Sequence, residues 1–219
     1  MARNVRAPFV VCLACAAAFG LLAVLALSVD AGRHLDVRLF LRLVEHPPPG
    51  DSWADVAAAL GDPLPMLLML AVACGIGLLR GRPIDALAAV LVVAGANITT
   101  QLVKVLLAHP RVKIAIGGDP LEPNTFPSGH TTAVASAAVA YAFVVPAAWR
   151  NLTLTLGVAL TLAVGCSVVV IGWHYPSDVL GGVFVAAGWG FAVLALRRAV
   201  RFRSSRRRRV SSRTPLPSP

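Results

Sequence analysis

The sequence predicts an all-α integral membrane protein, a six-transmembrane-helix bundle with a polar site at its extracytoplasmic face. Three observations carry that expectation. Of 219 residues, 57% are hydrophobic and only 14% charged, with a mean hydropathy of +0.75, whereas a soluble domain carries about 25% charged residues. Six apolar segments, about 8–29, 64–79, 84–107, 129–148, 151–172 and 178–196, come close to or exceed the roughly 20 residues a helix needs to cross a bilayer. Finally, the basic residues sort to alternate ends of those segments.

Segment 8–29 follows Arg3 and Arg6, as a secretory signal would. Its apolar run exceeds the roughly 7–15 residues of a signal core, so it reads as an uncleaved span. In region 30–63, Leu35, Leu39 and Leu43 recur at i, i+4 and i+8, which predicts a short amphipathic helix on the membrane surface. "PPPG" at 47–50 ends it, and "DSWADVAAALGDP" predicts a further helical piece leading into the second segment. Pro110 ends the third segment near His109. Pro127-Ser128-Gly129 before the fourth is an N-cap signature. The fifth and sixth are separated only by the turn around 173–178. From about 199 the chain is Arg-rich and of low complexity, so the expected organisation is a membrane domain over 1–198 and a disordered tail over 199–219.

The net charge of +10 is a property of that C-terminal end, since nine of the twenty basic residues follow Leu196. It reads as contact with anionic lipid headgroups, each basic residue near the surface adding about 1 kcal/mol. Nothing else in the chain supports nucleic acid as a partner. Counted across the predicted loops, 14 basic residues fall on the side of both termini and 6 on the other, which places the termini in the cytoplasm. Nine of the ten acidic residues lie on the opposite, outer side, and only Asp85 does not. Heavy use of Ala, Val and Arg points to a GC-rich bacterial source, hence a multi-pass protein of the plasma (inner) membrane. Cys12, Cys15, Cys74 and Cys166 all lie in apolar stretches and form no disulfide framework.

Three polar clusters fall on the outer side, each at the end of an apolar segment. "KVLLAHPRVK" holds Lys104, His109, Arg111 and Lys113. Lys113 reads as a side chain snorkelling to the headgroups and His109 as a solvated loop residue. Lys104 sits within an otherwise apolar run and is a functional candidate. "FPSGHTTAV" opens a helix at Ser128, Gly129 and His130, and a helix start with nearby cations suits an oxyanion such as phosphate. "SVVVIGWHYPSD" supplies His174 and, at i+4, Asp178. A neutral imidazole held by a carboxylate can attack phosphorus, and a second histidine, His130, could protonate the leaving oxygen and then activate water. The plainer alternative is a His–Asp pair that only ties two helices together. No carboxylate cluster has metal-ligand spacing, so a metal-free reaction without a cofactor is expected.

In order, these clusters resemble the signature of the type 2 phosphatidic acid phosphatase (PAP2) superfamily, which also includes vanadium haloperoxidases: K-x6-R-P, then P-S-G-H, then S-R-x5-H-x3-D. Lys104 and Arg111 keep the first spacing, Pro127 to His130 match the second element in full, and Ser167, His174 and Asp178 keep the third. The resemblance spans residues 104–178. It implies that His174 forms a phosphohistidine, Asp178 orients it and His130 is the acid/base, while Lys104, Arg111, Ser128 and the Gly129 amide bind phosphoryl oxygens. It implies a membrane phosphatase for a lipid phosphate or diphosphate, such as phosphatidic acid, phosphatidylglycerophosphate or a prenyl diphosphate.

Two positions depart from the signature: Val112 replaces its proline and Val168 its second arginine. Losing one such phosphate donor typically costs about 3–4 kcal/mol. Lys113, His109, Arg33, Arg38 and Arg42 are candidate substitutes. The sequence therefore leaves two alternatives to hydrolysis: phosphotransfer to a lipid or sugar hydroxyl through the same intermediate, and a catalytically weakened lipid-phosphate-binding or transport protein.

Overall fold

A computed structural model describes residues 3–44, 53–107, 115–116, 119–120 and 125–211. Among these residues the chain forms eight α-helices, one 3-10 turn and a two-residue antiparallel ladder at Ala115–Ile116 and Asp119–Pro120. The helices are α1 (Arg3–Ser28), α2 (Asp30–Val44), α3 (Trp53–Ala59), α4 (Pro63–Leu79), α5 (Pro83–Leu106), α6 (Gly129–Val144), α7 (Arg150–Val170) and α8 (Pro176–Ser211).

Each of the six apolar segments is a helix, but they are not six equal spans. Four helices, α1, α5, α7 and α8, are individually long and apolar enough to cross a membrane. The pair α3 and α4 makes a fifth candidate, bent by 57° at the break between them. Pro63 starts α4 at its first turn, where a missing N–H is harmless but continuation from α3 is prevented. The segment drawn at 129–148 yields a helix of only 16 residues, because α6 stops at Val144 ahead of Pro146. At 1.5 Å per residue it rises about 24 Å, short of the roughly 30 Å hydrocarbon thickness.

That short helix is the centre of the bundle. It packs on α4, α5, α7 and α8, and Thr131, Val134, Ala137, Ala140 and Val144 are among its buried residues. Between α5 and α6 the buried hydroxyls of Thr100 and Thr132 lie 3.1 Å apart. Asn97 donates to the Ser136 hydroxyl at 3.3 Å. Such pairs join helices where lipid gives no hydrophobic drive for association. Outward-facing leucines such as Leu67, Leu91 and Leu162 are exposed, as a lipid-facing surface requires. This is a multi-pass membrane protein.

α2 departs from the expected surface helix. Leu35, Leu39 and Leu43 are exposed, while Asp36, Phe40 and Val44, one residue further on, form the buried face. Phe40 packs against Tyr175, with ring centroids 4.8 Å apart. Asp36 accepts hydrogen bonds from the Ser177 amide at 3.0 Å and the Ser177 hydroxyl at 2.5 Å. α2 is therefore fastened on one face to the turn between α7 and α8. At the other end, α8 continues as helix to Ser211, past the boundary that composition suggests at 199. Arginine is a good helix former, and an established span extends without a new nucleation step.

Candidate active site

The site lies at one end of the bundle, where α5 and α7 finish and α4, α6 and α8 begin. α7 closes at Gly172, whose φ of +83° is left-handed and suits a residue without a Cβ. The amides of Trp173 and His174 both donate to the Val168 carbonyl, at 2.9 and 3.0 Å. This closure turns the chain inward, so that His174 is buried. Pro176 then opens α8, and Asp178 falls in its first turn.

Asp178 is fully buried. Its Oδ2 lies 3.4 Å from His174 Nδ1 and accepts the Tyr175 amide at 3.0 Å. Its carbonyl accepts the Ser128 amide at 2.9 Å, which joins the starts of α6 and α8 by backbone alone. Gly182 makes the approach possible: a Cβ there would stand 2.8 Å from the Ser128 carbonyl oxygen.

Ser128 is the N-cap of α6, with its hydroxyl accepting from the Thr131 amide at 3.3 Å and the Thr131 hydroxyl at 3.1 Å. The amides of Gly129 and His130 belong to a first helical turn, which no intrahelical carbonyl serves. A Cβ on Gly129 would stand 3.7 Å from Gln101 Nε2 and 3.8 Å from Lys104 Nζ. A bare helix start thus faces an amide and an ammonium, both donors to an anion.

His130, the next residue, has its ring centroid 6.2 Å from that of His174 in an edge-on arrangement, and 5.4 Å from Trp173. Its Nε2 lies 3.2 Å from Asp62 Oδ1. Asp62 is the N-cap residue of α4, yet its carboxylate makes no cap hydrogen bond to its own helix. Gly61 allows the contact, because a Cβ there would stand 2.5 Å from His130 Cβ. Each histidine therefore has a carboxylate behind it, Asp178 behind His174 and Asp62 behind His130.

The structure brings together Lys104, Ser128, Gly129, His130, His174 and Asp178. Arg111 lies outside the described residues, as do His109, Val112 and Lys113. Val168, at the signature's arginine position, is fully buried, and its carbonyl is committed to the turn that delivers His174. Of the candidate substitutes on α2, Arg33 pairs with Asp30 and Arg38 donates to the His34 carbonyl of its own helix. Asp62, Gln101 and Asp36 were not among the sequence candidates. For Asp62 the signal was "GDP" ahead of an apolar run, which reads equally well as an ordinary cap.

Residues 85–202, more than half of the chain, match the model of the PAP2 superfamily. The chain belongs to the PAP2 superfamily. No curated protein matches it closely enough to count as a relative. Among solved structures it is similar to the transmembrane PAP2-type phosphatidylglycerolphosphate phosphatase from Bacillus subtilis, at a TM-score of 0.72 and 20% identity. That match covers 86% of this chain and 96% of the other, so this PAP2 protein shares the membrane fold of that phosphatase over nearly its whole length.

Proposed function

We propose that this PAP2 protein is a membrane phosphatase that hydrolyses a lipid phosphate through a phosphohistidine on His174. The observation that carries the reading is the pair of carboxylate-backed imidazoles, 6.2 Å apart between ring centroids, beside a helix start flanked by Lys104. With Nδ1–H directed at Asp178, His174 presents the Nε2 lone pair as nucleophile. Attack forms an N–P bond and breaks the P–O bond to the lipid. His130 gives its proton to the departing oxygen, then takes one from water as that water displaces His174 from phosphorus. Inorganic phosphate and the lipid alcohol leave, and both histidines are restored. Lys104, the Gly129 amide and, from the signature, Arg111 hold the equatorial oxygens, where charge stabilisation has most effect.

Orientation follows the arginine count, with the termini in the cytoplasm and the site facing outward in the plasma membrane. Phosphate release from phosphatidic acid or phosphatidylglycerophosphate by the detergent-purified protein, in the presence of EDTA, tests the reading. Release is expected with wild type and is abolished in His174→Ala; a strict requirement for Mg²⁺ would overturn the metal-free chemistry. The buried Val168 favours one second reading, a lipid-phosphate binder that no longer turns over. It predicts lipid phosphate binding that survives His174→Ala, with no phosphate released by either protein.

A further inference from the structure

At the opposite end of the bundle from His174, a cavity of about 550 Å³ opens between α6, α7 and α8. Arg82, Arg150, Arg197, Arg198 and Arg201 line it, together with one carboxylate, Asp85. Asp85 is buried and pairs with two of them, Arg82 at 3.3 Å and Arg197. Arg197 also lies over the Phe143 ring, 5.1 Å from its centroid. Five guanidiniums against one carboxylate leave the lining at a net charge of +4. The rest of the lining is apolar, with Phe143, Leu154 and Phe191 among it.

Gathering like charges around a cavity walled by apolar side chains is unfavourable unless an anion offsets them. A small soluble anion accounts for the arginines but not for the apolar walls. An amphiphile accounts for both, and the volume is within the range of ligand pockets. Asp85 is the one carboxylate among the lining residues.

We propose that this cavity binds one anionic phospholipid, its phosphodiester held by the arginine forks and an acyl chain laid along the apolar wall. The cavity is separate from the histidine site and uses none of its residues.

The test titrates the thermal unfolding midpoint of the full chain in neutral detergent with phosphatidylglycerol, phosphatidylcholine or inorganic phosphate. Phosphatidylglycerol is expected to raise the midpoint saturably, and the other two to have little effect. Arg150→Gln combined with Arg201→Gln removes two charges at about 1 kcal/mol each, which raises the phosphatidylglycerol concentration needed for a given shift about thirtyfold. Ala187→Phe fills the cavity wall, leaves every charge in place and weakens the same response. It decides alone if the double variant does not fold. Both variants retain wild-type phosphate release in lipid-free detergent. An equal response to inorganic phosphate would assign the site to a soluble anion. An equal response to phosphatidylcholine, or an unchanged one in the variants, would overturn the site altogether.

Discussion

Asp62→Asn isolates the second histidine. The substitution keeps the size of the side chain and its place at the start of α4 but removes the negative charge 3.2 Å from His130 Nε2. A hydrogen bond to a charged partner contributes about 1.5–3 kcal/mol when shielded. The Asp62 side chain is 51% exposed, so water and salt screen the interaction, and about 1 kcal/mol is the appropriate figure. That corresponds to a loss of about fivefold in kcat for a lipid phosphate, with KM changed less than about twofold because no contact to the phosphoryl group is removed. The step affected can be read separately with p-nitrophenyl phosphate, whose leaving group needs no proton. In rapid mixing, the nitrophenol burst that reports His174 phosphorylation should persist at near wild-type rate, while steady-state turnover falls with hydrolysis of the intermediate. A burst slowed as much as the steady state, or a kcat for the lipid substrate equal to wild type, would refute the assignment of Asp62 to His130.

Asp36→Ala leaves the Ser177 amide and hydroxyl without their buried acceptor and is expected to destabilise by about 2–4 kcal/mol, read as a lower unfolding midpoint with detergent and lipid held constant. Gly182→Ala forces a Cβ to within 2.8 Å of the Ser128 carbonyl oxygen; separating α6 from α8 should lower stability by about 1–3 kcal/mol and kcat at least tenfold, since His130 and the Asp178 that holds His174 ride on those two helix starts. Gly172→Ala places a Cβ at φ +83° and should cost about 1–2 kcal/mol in the same unfolding assay. Wild-type behaviour of Gly182→Ala in both measurements, or of Gly172→Ala in the unfolding assay, would contradict the packing described.

The helices were legible because apolar runs bounded by proline, glycine and charge leave little choice of element, and every apolar segment became one. The lengths of the helices were less legible than their existence. Pro146 shortens a segment whose composition alone looks continuous to 148, and only the packed structure shows α6 sheltered inside the others. In α2 the leucine periodicity was genuine but marked the outward face. The inward face is carried by Asp36 and Phe40, and a carboxylate is not what a search for a buried stripe looks for. His130, His174 and Asp178 could be picked out because their spacing is local or forms a motif. Asp62 could not, since its only relation to His130 is spatial, across 68 residues of chain. The arginine cavity is hidden for the same reason: its residues come from three separate stretches, and one of them reads as a tail.

The two hydrogen bonds from Ser177 to Asp36 join positions 141 residues apart, and this has a consequence for biosynthesis. The chain enters the membrane from its N-terminus, so α2 waits through the synthesis of five further helices, α3 to α7, before the segment it clasps is made. Until α8 arrives, His174, Asp178 and the Ser177 anchor for α2 are all missing together. The candidate site is therefore completed in one late event, when α8 packs against α2 and α6. On the proposed chemistry, phosphate removal waits until α8 has closed the bundle.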